Sequence, residues 1–134
     1  MNKVTLTVEE AKPLTPEREV VKATASGLLG LSDLPALQAW GQELNEQARK
    51  HSCPTNRPIA ILLDIQELEG YNSPEILSAL VELMKADKPF VYKTATYGGT
   101  KTHELIQQIL EEMAERDNLK NFPTETEAIA WLKE

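Results

Sequence analysis

IAILLDIQELEGYNSPEILSAL, residues Ile59 to Leu80, is the stretch from which the architecture of this chain can be read. Ile59 to Leu63 is continuously apolar, the pattern of a central parallel strand covered on both faces rather than the alternation of a half-exposed one. Asp64 ends the run, a short loop follows, and Ser73 with Pro74 opens a helix. A serine oxygen there can accept one of the unpaired first-turn amides, and proline is pre-set for the first helical position. Ile76, Leu77, Leu80, Val81 and Met84 then recur on one helical face. A hydroxyl at a helix N-terminus, just past the carboxyl end of a central strand, is where an open α/β sheet can take an anion or touch a partner. It is equally a plain N-cap, and both readings of Ser73 stand.

The flanks extend the same alternation of strand and helix. Val4, Leu6 and Val8 alternate with Thr5 and Thr7, the period of a half-buried strand at a sheet edge. Pro13 and Pro16 break the chain, and Arg18 to Ser26 forms a second strand closed by Gly27 and Gly30, antiparallel to the first. Ser32 or Asp33 caps a helix with Leu34, Leu37, Trp40, Leu44 and Ala48 on its core face. His51 to Pro58 is a polar loop. Beyond the second helix, Pro89 precedes a strand from Phe90 to Thr96, Gly98 and Gly99 turn it, and Leu105, Ile106, Ile109, Leu110 and Met113 mark a third helix. Leu119 to Phe122 is a last strand. Thr124 and Glu127 cap a final helix carrying Ala128, Ile129, Trp131 and Leu132. The sum is an α/β domain of order ββαβαβαβα, with a mostly parallel sheet of four to five strands and about four helices.

At 134 residues the chain fits one domain, residues 1 to 134, with 1 to 17 as an N-terminal edge strand and loop. The net charge of -7 opposes nucleic-acid binding, which needs a basic stripe against phosphates. Glu111, Glu112, Glu115 and Asp117 read as a solvated helix end. No run approaches the roughly 20 apolar residues of a membrane span, and the opening MNKVTLTVEE lacks the basic-then-apolar pattern of a signal peptide. The expectation is a cytoplasmic protein without membrane insertion. Cys53 alone forms no internal disulfide, and with His51 and His103 the only imidazoles, neither a metal nor another cofactor is expected.

Taken in order, these units resemble the STAS superfamily, the domains of bacterial anti-sigma factor antagonists, and more broadly the SpoIIAA-like fold shared with CRAL-TRIO (Sec14) lipid-binding domains. The likeness to small bacterial STAS/Sec14-type proteins rests on ASGLLGLSDLPAL (Ala25 to Leu37), the strand ending in Asp64, KPFVYKTATYGG (Lys88 to Gly99) and EAIAWL (Glu127 to Leu132), and covers about residues 18 to 134. The resemblance implies a non-enzymatic regulatory domain whose partner is a protein, a kinase or a sensor-regulator. In the family a serine of an Asp-Ser-Ser-Gly segment is phosphorylated by a kinase that is also the anti-sigma factor. Laid over this chain, that aspartate falls on Asn72 and the serine on Ser73, and Pro74 and Glu75 stand where the family has Ser-Gly.

Three candidate sites follow. Ser73, with Asn72 and the aromatic Tyr71 as an exposed contact beside it, is the candidate phospho-acceptor or partner surface. Gly98, Gly99, Thr100 and Lys101, running into Thr102 and His103, form a glycine turn that can present amides to an anion, with Lys93 as a further cation. It is not a P-loop, since Thr100 stands where glycine must precede the lysine. A turn capped by Thr100 is the simpler reading. Catalytic readings are weaker. Asp64 with Glu67 and Glu69 could hold magnesium, and His51 with Cys53 could pair as base and nucleophile, but no third orienting group accompanies them. The alternative functions are a small-ligand or lipid-head-group carrier of the CRAL-TRIO branch, using the Gly98 loop, and a homodimeric module pairing through the edge strand Val4 to Val8.

Overall fold

The computed structural model describes residues 3–52 and 57–134. Its elements are β1 (Thr5–Val8), β2 (Lys12–Thr15), β3 (Arg18–Leu29), a 3-10 turn (Leu31–Asp33), α1 (Leu34–Ser52), β4 (Ile59–Asp64), β5 (Leu68–Tyr71), α2 (Pro74–Asp87), β6 (Val91–Tyr97), α3 (Lys101–Met113), β7 (Leu119–Phe122) and α4 (Glu125–Lys133). The sheet runs β1-β3-β4-β6-β7, with β2 and β5 also paired to β3. β1 and β2 lie antiparallel to β3, and every other pairing is parallel. The α/β class and mostly parallel sheet agree with the sequence reading.

Two strands exceed the expected four to five. β2 forms in spite of Pro13, because an edge strand tolerates a missing N–H, and its register slips between Pro13 and Thr15. β5 pairs with the far end of β3, which runs past Gly27 to Leu29 instead of closing there. Gly27 has φ +87°, and a Cβ on it would lie 2.9 Å from the Val4 backbone. It bends β3 and lets the chain before β1 approach, so the glycine read as a stop is a bulge.

The strands' alternation divides the core into two layers. Val21, Ala23, Ile59 and Ile61 turn to one face, where they meet Leu37, Trp40 and Leu44 of α1 and Ile76 of α2. Val20, Ala60, Leu62 and Ala95 turn to the other, against Ala128 and Leu132 of α4. β4 is therefore buried on both sides, as its unbroken apolar run requires. Each fully buried aliphatic side chain contributes about 1.5–3 kcal/mol relative to exposure.

α3 divides its apolar residues. Leu110 packs with Val81 of α2 and Ala114, whereas Leu105, Ile109 and Met113 are 61%, 57% and 57% exposed. The helix ends in a Schellman arrangement: the Arg116 amide donates to the Glu111 carbonyl at 2.8 Å, that of Glu115 donates to Glu112 at 3.2 Å, and Glu115 sits at φ 57°. That turn sends Arg116 back under the helix.

Candidate functional site

The entrance of α2 is built by β5. The Asn72 amide donates to the Leu29 carbonyl at 2.9 Å, which ties the loop to the end of β3. The Asn72 side chain lies over Gly30, where a Cβ would come within 2.7 Å of its Oδ1. Ser73 then takes an extended conformation, φ -147° and ψ 131°, and caps the helix by accepting the Glu75 amide at 3.2 Å. Its hydroxyl donates to the Glu75 carboxylate at 2.5 Å, and this bond holds the exposed Glu75 carboxyl below its ordinary range. Ser73 itself is only 8% exposed. Asn72, Pro74 and Glu75 around it are open to solvent, as are Leu28 and Leu31 at the adjoining end of β3.

Tyr71 departs from the expected exposed aromatic. It is half-buried against the α1–α2 core layer, and burial pushes its phenol up to about 12. In its place, Leu28 and Leu31 supply the exposed apolar surface.

The Gly98 turn sits at the carboxyl end of β6. Gly98 has φ +86°, its amide donates to the Phe122 carbonyl at 3.0 Å, and the Gln66 backbone lies under it. Thr100 caps α3 by accepting the His103 amide at 3.2 Å, while His103 Nδ1 accepts the Thr100 amide at 3.1 Å. This is a capping box with histidine in the place of glutamate. Burial lowers the His103 pKa, with the Glu69 backbone acting the other way, and an Nδ1 that accepts a bond carries no proton. The Thr100 and His103 amides are thus engaged within the turn, and Lys101 is exposed. Lys93 does not reach it: its Nζ donates to the Trp131 carbonyl at 2.8 Å and lies over the Trp131 ring. The Ser73 and Gly98 regions follow the carboxyl ends of β5 and β6.

The remaining candidates disperse. Asp64 Oδ1 accepts the Gln66 amide at 3.0 Å, and among the described residues no three His, Cys, Asp or Glu side chains gather to hold a metal ion. His51 belongs to the last turn of α1 rather than a loop, with Nδ1 2.6 Å from Glu19 Oε2. Cys53 lies outside the described residues. No helix among them is long and apolar enough to cross a membrane.

No family model and no curated protein matches the chain. Solved structures do. A DUF3478-family protein with a SpoIIAA-like fold from Shewanella loihica PV-4 aligns with TM-score 0.66 at 19% identity, over 98% of this chain and 97% of that one. An anti-sigma factor antagonist from Mycobacterium paratuberculosis aligns with TM-score 0.61 at 16% identity, over 98% and 96%. The antagonist SpoIIAA in its unphosphorylated form aligns with TM-score 0.59 at 15% identity, over 96% and 98%. From end to end, the chain has the SpoIIAA-like fold.

Proposed function

We propose that this chain is a single, non-enzymatic, cytoplasmic regulatory domain that binds a protein partner through the surface around Asn72, Ser73 and the first turn of α2. The observation that carries the reading is the placement of Ser73: a capping hydroxyl at the carboxyl end of the sheet, ringed by exposed Asn72, Glu75, Leu28 and Leu31. The SpoIIAA-like fold supports it, since two of the similar structures are anti-sigma factor antagonists. Apolar side chains beside polar ones suit a protein contact. Phosphorylation of Ser73 would add about -1.5 to -2 charges at a helix N-terminus, which the helix dipole favours and Glu75 opposes. The Glu75 carboxylate would be displaced into solvent, and the partner would meet a different charge on an unchanged fold.

The chain isolated from its own cells tests the switch. Intact mass should show a phosphate adduct that maps to Ser73 and is absent from Ser73→Asn, which keeps the cap. An unmodified mass under all growth conditions would remove phosphorylation from the mechanism.

A further inference from the structure

Between the sheet and the α1–α3 layer lies a cavity of about 120 Å³. Most of its wall is aliphatic, from Leu29, Leu44, Leu63, Leu83 and Leu110. Arg116 and Asp87 also line the space, together with Thr94, Thr96, His103 and Gln107. Arg116 is 7% exposed and Asp87 6%, so two charged side chains are withdrawn from water beside one cavity.

They do not neutralise each other by contact. Arg116 donates from Nε to Asn118 Oδ1 at 3.1 Å, from Nη1 to the Met84 carbonyl at 3.4 Å and from Nη2 to Thr94 Oγ1 at 3.2 Å. These are three bonds, all to neutral acceptors, for a group with five N–H donors. Among the described residues no carboxylate stands at ion-pair distance from the guanidinium. Asp87 Oδ1 accepts from Asn45 Nδ2 at 3.0 Å. A buried arginine is ordinarily met by a carboxylate, because withdrawing the cation from water is repaid only by a close anion and full hydrogen bonding. Here three of the five N–H groups are engaged by neutral acceptors, and the carboxylates of Asp87, Glu111 and Asp117 act on the guanidinium only through space, while Arg116 lines the cavity.

We infer that this cavity is a binding site for a small carboxylate with a short, branched apolar tail, the carboxylate on Arg116 and the tail among the leucines. Volume sets the size class. An apolar cavity of about 150 Å³ takes a benzene-sized molecule, so this one admits about six heavy atoms, far short of a lipid chain. Asp87 divides the class in two, since an α-ammonium group on the ligand would meet its carboxylate and a plain acid would not. The inference does not depend on the reading given to the Ser73 surface.

Three probes of one skeleton decide the matter by calorimetric titration of the full chain: 2-methylpropanoate, its α-amino derivative 2-amino-2-methylpropanoate, and the uncharged 2-methylpropan-1-ol. At least one carboxylate should bind about tenfold or more tightly than the alcohol. Arg116→Gln should abolish that preference, and Arg116→Lys should restore part of it. If Arg116→Gln does not fold, Leu110→Phe, which fills the apolar side, should weaken the carboxylate in a chain whose arginine is intact. The amino acid binding more tightly than 2-methylpropanoate, with the difference lost in Asp87→Asn, would assign the amino-acid branch; the reverse order would assign the plain acid. No carboxylate binding up to about 10 mM, or binding equal to that of the alcohol and indifferent to both variants, overturns the proposal.

Discussion

The Ser73 hydroxyl accepts the Glu75 amide at 3.2 Å and donates to the Glu75 carboxylate at 2.5 Å, so one oxygen serves the backbone and the side chain of the same residue. Removing it leaves a first-turn amide without its cap. Ser73→Ala should destabilise the chain by about 1 kcal/mol, whereas Ser73→Asn, with an equivalent capping oxygen, should remain within a few tenths. Urea unfolding midpoints measure both. Equal losses in the two variants would mean that packing, not capping, holds the serine.

Glu115 is the one non-glycine residue among those described with positive φ, at 57°, and it is the turn of the Schellman arrangement after α3. Glycine takes that conformation without a Cβ penalty. Glu115→Gly should therefore stabilise the chain by about 0.5–1 kcal/mol, partly offset by the freedom that glycine adds to the unfolded state. Thermal and urea unfolding should agree on the sign.

His103 predicts a pH response. Its folded pKa lies below 6.5, so between the two values the unfolded chain binds more protons. The contribution is fully present above 6.5 and is lost as pH falls from there through the folded value, where protonated Nδ1 can no longer accept the Thr100 amide. Asp87 and Glu111, whose carboxyls burial pushes up, act in the opposite sense. The difference between wild type and His103→Gln isolates the imidazole: wild type should lose stability relative to the variant on acidification. A constant difference would contradict the assignment.

The two faces of α3 should respond differently. Leu110→Ala removes a buried side chain and should cost about 2–5 kcal/mol. Ile109→Gln, on the exposed face, should stay within about 0.5 kcal/mol. Paired urea titrations check the division.

That division also shows what the sequence could carry. The unbroken apolar run of β4, the Ser73–Pro74 start of α2 and the Trp40 face of α1 were legible, because burial on both faces, helix capping and 3.6-residue periodicity each leave a pattern in residue order. β5 was not: LEGY is four residues long with a glycine at φ 145°, and it is a strand only because β3 continues past Gly27 to pair with it. β2 was hidden by Pro13, which an edge accepts and a central strand would not. On α3, periodicity identified a helix but could not separate the residue that meets α2 from the three that meet solvent. At the α2 entrance, the Ser73 cap was legible, while the half-burial of Tyr71 was not, because it depends on packing by α1 and α2. Arg116 gave the least signal. It sits within an acidic run that reads as a solvated helix end, and only the turn at Glu115 carries it inward.

The role of the Ser73 surface rests on a protein that meets it. Wild type, Ser73→Asn, Ser73→Asp and Leu31→Lys should be used as baits in extracts of the chain's own cells, with captured proteins quantified against one another. The expected result is a partner held equally by wild type and Ser73→Asn, with its capture changed severalfold by the added charge of Ser73→Asp and reduced by Leu31→Lys. Four baits recovering the same proteins in the same amounts would contradict a regulatory surface at Ser73.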